Sequence, residues 1–362
     1  MIKDSHNSFL NIVRLGIGHS TCAYLEPVNW NEIKALADEQ GLFAVVLDGI
    51  EALESQGATS DALPQKEMLT NWIEKVQFDY EYRYELYRRA IAELAGFYRE
   101  HGCKMMVLKG YACSLDWPKP EHRPSGDIDI WQFGEYKKAD ALLTSEKGIE
   151  VDSSHHHHTV FYWRDFMVEN HYDFINVHHH KSHKALEKIL KEKAKDDSFT
   201  TVLYGETIYL PSSNLHALFL LKHMMLHFAS GEIIIRQLLD WAFFIEKHST
   251  EIDWGWFLSV LDDFHMREFF SIVNAICVDS LGFSLELFPD ISADTVLKEK
   301  VLNEVLSADF SGDLPKKLIN RVVYKFRRWK ANEWKHKLCY KESMWSAFWY
   351  GLWNHLMKPS SI

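Results

Sequence analysis

Apolar residues recur at helical spacing towards both ends of the chain. Residues 1 to about 75 are predicted to be helical, and one helix is expected over residues 31–40. A longer helix is predicted over residues 78–101, where apolar positions step by three and four until Gly102. The same spacing returns from Pro211 onwards. Both ends of the chain are therefore predicted to form helical regions.

The middle of the chain has shorter apolar runs. Those of strand length lie at residues 104–108, 127–131, 159–163, 174–178 and 207–210. A helix from about residue 136 to Gly148 separates the second run from the third. This mixture predicts an α+β core over residues 76–212, between an N-terminal helical region (1–75) and a C-terminal helical domain (213–362).

The composition narrows the class of protein. The chain has 362 residues, of which 47% are hydrophobic and 25% charged, so it can bury a sizeable core. Its net charge of -11 argues against nucleic-acid binding by the whole surface. We find neither an uncharged apolar run of membrane-spanning length nor the apolar core of a signal peptide, and the five cysteines are scattered. We therefore expect a cytoplasmic protein with reduced thiols and no membrane partner.

The pattern Asp127-Ile128-Asp129 offers the clearest chemistry. Residues i and i+2 of a strand project to the same face, so the two carboxylates are expected to lie side by side. Such a pair repels unless a cation lies between its members, and Mg²⁺ binds one or two carboxylates together with phosphate oxygens. The pair therefore predicts a site for Mg²⁺ and a triphosphate. The alternative is two solvated acids at a sheet edge.

The residues before the pair favour the phosphate interpretation. Lys109 supplies a point charge and Arg123 a fork of N–H donors, both of which phosphates prefer. Gly110 follows the first strand, and Ser125 with Gly126 permits a tight turn whose backbone N–H groups can approach an anion.

Residues 108–129 resemble an uncharacterised bacterial nucleotidyltransferase family of the DNA polymerase β-like superfamily. The shared features are an apolar strand, Leu-Lys-Gly, a proline-containing loop, an arginine and Asp-apolar-Asp. Residues 29–41 and 215–240 are similar to the helical parts of that family. The resemblance implies a nucleotidyltransferase-like mixed sheet core flanked by helical regions. It also implies Asp127 and Asp129 as Mg²⁺ ligands, with two ions possible, and an NTP as substrate.

The same resemblance implies a third carboxylate on a later strand, within a segment that reads apolar-acid-apolar-His. The matching stretch is Ile175-Asn176-Val177-His178, so Asn176 takes the acidic position and His178 is a candidate nucleotide contact. An amide can ligate Mg²⁺ but is a poor general base. Asp173 lies three residues before Asn176, so its side chain is expected on the opposite face of that strand.

Two functions remain open at this stage. One is metal-dependent transfer of a nucleotidyl group from an NTP to an unidentified hydroxyl acceptor, which is a protein, an RNA or a small molecule. The other, motivated by Asn176, is a catalytically silent module that binds a nucleotide or a protein partner. The oligomeric state is left open.

Other patterns receive structural interpretations. The histidines at 155–158 and 178–183 are expected to rim the cleft as polar positions that can contact phosphate or base. The alternative is a transition-metal site, although alternate histidines of a strand face opposite ways, so only pairs such as His178 and His180 can share an ion. His223 and His227 lie four residues apart on a helix, where a buried, hydrogen-bonded role is favoured over metal ligation. Arg236 and Asp240 are predicted to pair within their helix. The basic stretch 316–341 is interpreted as a solvated helix face, and the aromatic stripe 345–353 as core or subunit contact.

Overall fold

The computed structural model describes residues 4–20, 28–196, 198–231, 233–307, 327 and 329–357. The N-terminal part is helical, as predicted. Its helices are α1 (Asp4–Gly16), α2 (Trp30–Glu39), α3 (Phe43–Ser55) and α4 (Lys66–Lys75). The side chain of Asn29 caps α2 by accepting from the N–H of Asn31.

The predicted helix over 78–101 is the second half of a longer helical run. Helix α4 continues through a π-helical segment, Val76–Tyr82, into α5 (Arg83–Glu100). A π-helical turn keeps the chain helical while it shifts the face that the following residues present. Helix α5 then covers one face of the sheet.

The middle of the chain forms a six-stranded mixed sheet. Its elements are β1 (Met106–Val107), α6 (Tyr111–Ser114), β2 (Ile128–Trp131), α7 (Tyr136–Leu142), β3 (His158–Trp163), β4 (Phe166–His171), α8 (Lys181–Lys193), β5 (Phe199–Leu203) and β6 (Glu206–Leu210). The strand order is β3-β4-β2-β1-β6-β5. The pairs β2/β4 and β1/β6 are parallel, and the other pairs are antiparallel. The α+β class is therefore confirmed.

The rest of the described chain is helical, as predicted. It contains α9 (Ser213–Ser230), α10 (Ile235–His248), α11 (Trp254–Asp263), α12 (Arg267–Asp279), α13 (Thr295–Leu306), α14 (Glu333–Cys339) and α15 (Met344–Met357). Among the helices that the structure describes, none has the length and apolar character to span a bilayer. The four cysteines in the described ranges are free thiols, whereas Cys22 lies outside those ranges.

The strand predicted over 174–178 is wrong. These residues form a turn, and the strand that pairs in parallel with β2 is β4, which the sequence pattern missed together with β5. Phe174 and Ile175 are buried for another reason: their backbone N–H groups each donate to the Glu187 carboxylate of α8, at 3.0 Å. Satisfied backbone donors let this apolar turn lie in the core without strand pairing.

The two faces of the sheet have different coverings. Ile128, Ile130 and Val168 pack with α5 in one core. On the opposite face, the N-terminal helices and the helices that follow the sheet share a second core, to which Val45 of α3 and Leu218 of α9 both belong. The helical regions at the two ends of the sequence therefore pack together over one face of the sheet.

A buried ion pair joins the loop before β2 to helix α10. Arg123 Nε lies 2.7 Å from Asp240 Oδ1 and Nη2 lies 3.0 Å from Oδ2, while Trp117 Nε1 also donates to Asp240. The two charged side chains are only 7% and 9% exposed. The ion pair predicted between Arg236 and Asp240 is therefore wrong, because the Asp240 carboxylate is saturated by partners from outside its own helix.

We predict that Asp240→Asn destabilises the protein by about 3–5 kcal/mol, because it leaves the Arg123 charge buried without its counter-charge. Urea denaturation measures the change in unfolding free energy. Glu93→Gln is the matched control: it breaks the ion pair with Arg164, whose members are 45% and 67% exposed, and should cost less than about 1 kcal/mol. Equal losses in the two variants would contradict the prediction.

Candidate functional site

A cavity of about 1140 Å³ lies between part of the sheet and the helices on its second face. Its wall combines acidic and imidazole side chains of the sheet, basic side chains, and aromatic residues of the C-terminal helices. Representative lining residues are Asp127, Asp129, Glu169, Arg236, His336 and Phe348. Its size is that of a site for a ligand as large as a nucleotide.

The aspartate pair lies on the cavity wall. Asp127 and Asp129 both line the cavity, whereas Ile128 between them is fully buried in the α5 core. The turn before β2 is held from α5, since Tyr87 Oη donates to the Asp127 carbonyl oxygen at 2.8 Å and Arg83 Nε donates to that of Ser125 at 3.2 Å. The strand alternation therefore presents the pair to the cavity.

A third carboxylate lies beside this pair. Strands β2 and β4 run parallel with Asp129 in register with Glu169. His171 Nε2 lies 3.0 Å from Asp129 Oδ1 and 3.5 Å from Glu169 Oε2. One ligand atom of each of these three residues lies within 4.8 Å of one ligand atom of the other two. Sequence reasoning missed Glu169.

A sequence signal for Glu169 was present. Val168-Glu169-Asn170-His171 has the same acid-x-His spacing that was sought at residues 175–178, but Asn170 stands where an apolar residue was expected. Asn170 is fully buried and its amide donates to Asp140 of α7 at 2.8 Å. The hydrogen bond to Asp140 thus allows a polar residue to be buried at the position where the family pattern has an apolar one.

Lys109 lies against the carboxylates. Its Nζ is 2.7 Å from Asp129 Oδ1. Burial acts to lower the pKa of Lys109, but the charge of Asp129 outweighs it and the pKa is raised. Burial acts in turn to raise the pKa of Asp129, yet Lys109 and His171 hold it well below its usual range. Both groups are therefore charged at neutral pH.

Asp127 is in a different state. Burial and the neighbouring Asp129 charge raise the pKa of its carboxyl. Burial also acts to raise the pKa of Glu169, but the hydrogen bond from His171 lowers it overall. Three acids thus meet at one wall, with the Lys109 ammonium and the His171 imidazole as close partners, and a bound cation would relieve the repulsion that Asp127 experiences.

The position predicted for the third ligand holds a different arrangement. Asn176 lines the cavity from the turn before α8, where its Oδ1 accepts from the His178 N–H at 2.9 Å and its amide lies 3.4 Å from His179 Nε2. His178 is half-buried and does not line the cavity as the structure describes it. Asp173 pairs with Lys191 of α8 instead of approaching the carboxylates.

Two arginines reach the cavity, and they differ in their partners. The guanidinium of Arg123 is committed to Asp240. Arg236 of α10 makes no hydrogen bond or ion pair with any residue that the structure describes, and burial together with the Arg123 charge lowers its pKa. Arg236, which sequence reasoning assigned to an ion pair, is therefore the arginine with its donors available to a ligand. Gly126 also lines the cavity, whereas Ser125 does not within the described ranges.

The helix histidines also contribute to the wall. His223 and His227 of α9 line the cavity with their ring centroids 4.4 Å apart. Within the described part of the chain neither imidazole makes a hydrogen bond, so the predicted buried, hydrogen-bonded role is wrong. Burial lowers the pKa of both imidazoles.

The far end of the cavity is aromatic. His180 stacks on Tyr340 with ring centroids 3.9 Å apart and an interplanar angle of 9°. Phe348 of α15 also lines the cavity, while Trp345 and Trp349 are 55% and 61% exposed. These two tryptophans are therefore not core residues, and the side chain of Trp353 lies outside the described part of the structure. Residues 316–326 and 328 of the basic stretch lie outside it too, and in the described remainder Lys335 pairs with Glu304 at 2.8 Å.

Comparison with known proteins gives one family. The model of a protein family described as uncharacterised nucleotidyltransferase matches residues 26–282. No curated protein matches the chain. A solved structure of an antigenic nucleotidyltransferase-like protein from Paracoccidioides brasiliensis is 16% identical, and the match covers 44% of this chain and 75% of that one with a TM-score of 0.32.

We predict that Gly110→Ala disrupts the turn between Lys109 and α6. The backbone there has a φ of +55°, and a Cβ would lie 2.5 Å from Tyr87 Oη and 3.3 Å from the Asp127 carbonyl oxygen. Backbone strain of this kind costs about 1–3 kcal/mol, to which the clash adds. Chemical denaturation measures the loss.

Two controls separate clash from strain. Gly126→Ala introduces a Cβ that meets nothing within 4 Å, so it should be nearly neutral. In a Tyr87→Phe background the hydroxyl that Gly110→Ala strikes is gone, so the substitution should cost less there than in the wild type. Identical costs in the two backgrounds would contradict the steric explanation.

Proposed function

Because the chain belongs to the family of uncharacterised nucleotidyltransferases, we propose that it transfers a nucleotidyl group from an NTP to a hydroxyl acceptor in a metal-dependent reaction. The observation that carries this proposal is the set of three carboxylates, Asp127, Asp129 and Glu169, on the wall of a nucleotide-sized cavity. Carboxylates on adjacent strands suit the binding of hard divalent cations.

The donor set fits Mg²⁺. Asp129 and Glu169 offer oxygen atoms on neighbouring strands. Asp127 is repelled by the neighbouring Asp129 charge, and a cation would relieve this repulsion. These three residues would hold one or two ions. When bound, such ions neutralise the charge of the triphosphate and stabilise the entering and leaving oxygens.

The reaction we propose is an in-line displacement. The acceptor oxygen forms a bond to the α-phosphorus, the bond from that phosphorus to the bridging oxygen breaks, and pyrophosphate leaves. Glu169 is ionised at neutral pH and accepts the proton of the acceptor hydroxyl.

The basic side chains bind the phosphates. Arg236 lines the cavity, and its guanidinium makes no hydrogen bond or ion pair with the residues that the structure describes, so it is assigned to the triphosphate. Lys109 is assigned to a phosphate oxygen as well, because a cation held by Asp129 would neutralise the carboxylate with which the ammonium now pairs. Arg123 acts indirectly, because its ion pair with Asp240 holds the loop before β2 in place.

The catalytically silent alternative depended on Asn176 as the third ligand. Glu169 supplies a carboxylate in register with Asp129, and this supports turnover over a silent module. The aromatic end of the cavity, around His180 and Tyr340, is a suitable place for a flat ring such as a nucleobase.

We predict that Glu169→Gln and Asn176→Ala behave differently. Loss of the proton acceptor should reduce pyrophosphate release by about 10²–10⁴-fold in Glu169→Gln, whereas Asn176→Ala should keep activity within a few fold. Pyrophosphate release is measured with Mg²⁺ and each NTP against protein, RNA and small-molecule acceptor pools. If Asn176→Ala lost turnover while Glu169→Gln kept it, Asn176 and not Glu169 would be the catalytic group.

Arg236→Gln should weaken NTP binding by about 10–100-fold, since it removes charge-assisted hydrogen bonds of about 1.5–3 kcal/mol. Calorimetry with Mg²⁺ and an NTP measures the dissociation constant, with Asp127→Asn plus Asp129→Asn as the variant that removes the metal ligands. Arg164→Gln is the control, because Arg164 is exposed and pairs with Glu93. If Arg236→Gln and the control bound the NTP with equal affinity, Arg236 would not be a phosphate-binding residue.

A further inference from the structure

We propose that His157, His158, His171 and Glu169 form a four-ligand site for a transition-metal ion such as Zn²⁺. This site differs from the Mg²⁺ site in its ligand chemistry. Three of its four ligands are imidazoles, which favour Zn²⁺, Cu²⁺, Ni²⁺ and Co²⁺, whereas Mg²⁺ prefers oxygen ligands.

The ligand atoms already lie close together. One ring nitrogen of each of the three histidines lies within 4.8 Å of one ring nitrogen of the other two. Glu169 Oε2 is 3.8 Å from His158 Nδ1 and 3.5 Å from His171 Nε2. Tetrahedral Zn²⁺ with bonds of about 2.1 Å places its ligand atoms roughly 3.4 Å apart. The cluster therefore needs only small side-chain movements to enclose an ion.

Strand pairing assembles the cluster. The antiparallel register of β3 and β4 places His158 opposite His171. His157 precedes β3, and its carbonyl oxygen accepts from the N–H groups of Tyr172 and Asp173, both at 3.0 Å, which ties it to the end of β4. The sequence pattern considers the histidines of one segment alone, and adjacent side chains of one strand point to opposite faces. Strand pairing instead brings together histidines from two different segments.

Two ring nitrogens lack hydrogen-bond partners among the described residues. The Nδ1 atoms of His157 and His158 are buried and make no hydrogen bond with any residue in the described ranges. Buried polar atoms in native proteins are normally satisfied, so an unsatisfied pair in one cluster indicates a missing partner. A metal ion would satisfy both atoms at once.

His171 is oriented for ligation. Its Nδ1 lies 3.3 Å from the carbonyl oxygen of Asp173. An N–H donated to a backbone carbonyl fixes the tautomer of a histidine ligand and leaves the other nitrogen for the metal. Here that nitrogen is Nε2, the atom nearest to Glu169 and Asp129.

The site has a consequence for the reaction proposed above. Glu169 belongs to both ligand sets, so an ion held by the histidines would draw this carboxylate away from its catalytic position. We therefore expect Zn²⁺ to inhibit nucleotidyl transfer in the presence of excess Mg²⁺. The existence of the site does not depend on that activity and is tested without it.

The test uses Co²⁺, whose visible absorption is intense in a four-coordinate site and weak in a six-coordinate one. Metal-free full-length protein is titrated with Co²⁺ and then with Zn²⁺ or Mg²⁺. We expect the intense spectrum to appear, to be abolished by Zn²⁺, and to persist in excess Mg²⁺. A weak six-coordinate spectrum alone, or displacement by Mg²⁺, would overturn the proposal.

Variants assign the signal to these residues. His157→Ala combined with His158→Ala should weaken Co²⁺ binding by at least about 100-fold, since loss of a supporting group alone costs 10–100-fold. His156→Ala is the matched control from the same histidine run and should bind as the wild type does. An unchanged spectrum in the double variant would place the ion elsewhere and reject the site.

Two further variants guard the interpretation. Glu169→Gln should also weaken Co²⁺ binding. It provides a second test if circular dichroism shows that the double variant does not fold. Asp127→Asn should keep the Co²⁺ spectrum while it impairs binding of Mg²⁺ and NTP. The failure of the transition-metal site and the failure of the proposed function are thereby distinguishable.

Discussion

The parallel pairing of β2 with β4 is the constraint on which the site depends. It places Asp129 in register with Glu169, and it does so although the two residues are separated by a helix, a loop and strand β3. The antiparallel β3 then adds His158 opposite His171. The acidic and imidazole groups on the cavity wall are therefore a product of sheet topology, and a shift of one residue in register would turn them into the α5 core.

The site concentrates charge that the fold must balance. Asp129 has Lys109 and His171 as close partners, and its carboxylate is only 2% exposed. Asp127 has no comparable partner in the described structure, and its pKa is raised as a result of burial and of Asp129. A cation bound in this cleft would lower the repulsion among its carboxylates.

Several polar residues near the site hold the surrounding loops and helices in place. Arg123 and Asp240 pair across the boundary between the sheet loop and α10, whereas Arg236 lines the cavity without a hydrogen bond or ion pair to the residues that the structure describes. Tyr87 reaches from α5 to the Asp127 backbone and fills the space that only a glycine at position 110 leaves open. Helices on both faces of the sheet thus position its loops.

Local sequence was sufficient for the α+β class, for strands β1, β2, β3 and β6, and for the aspartate pair on its strand, because period and turn residues act over a few positions. It failed for β4 and β5, where polar residues interrupt the apolar pattern. Glu169, the exchange of partners around Asp240 and the histidine cluster emerged only from the tertiary structure. Each depends on contacts between residues far apart in the chain, and no local pattern records which segments of a chain will pair.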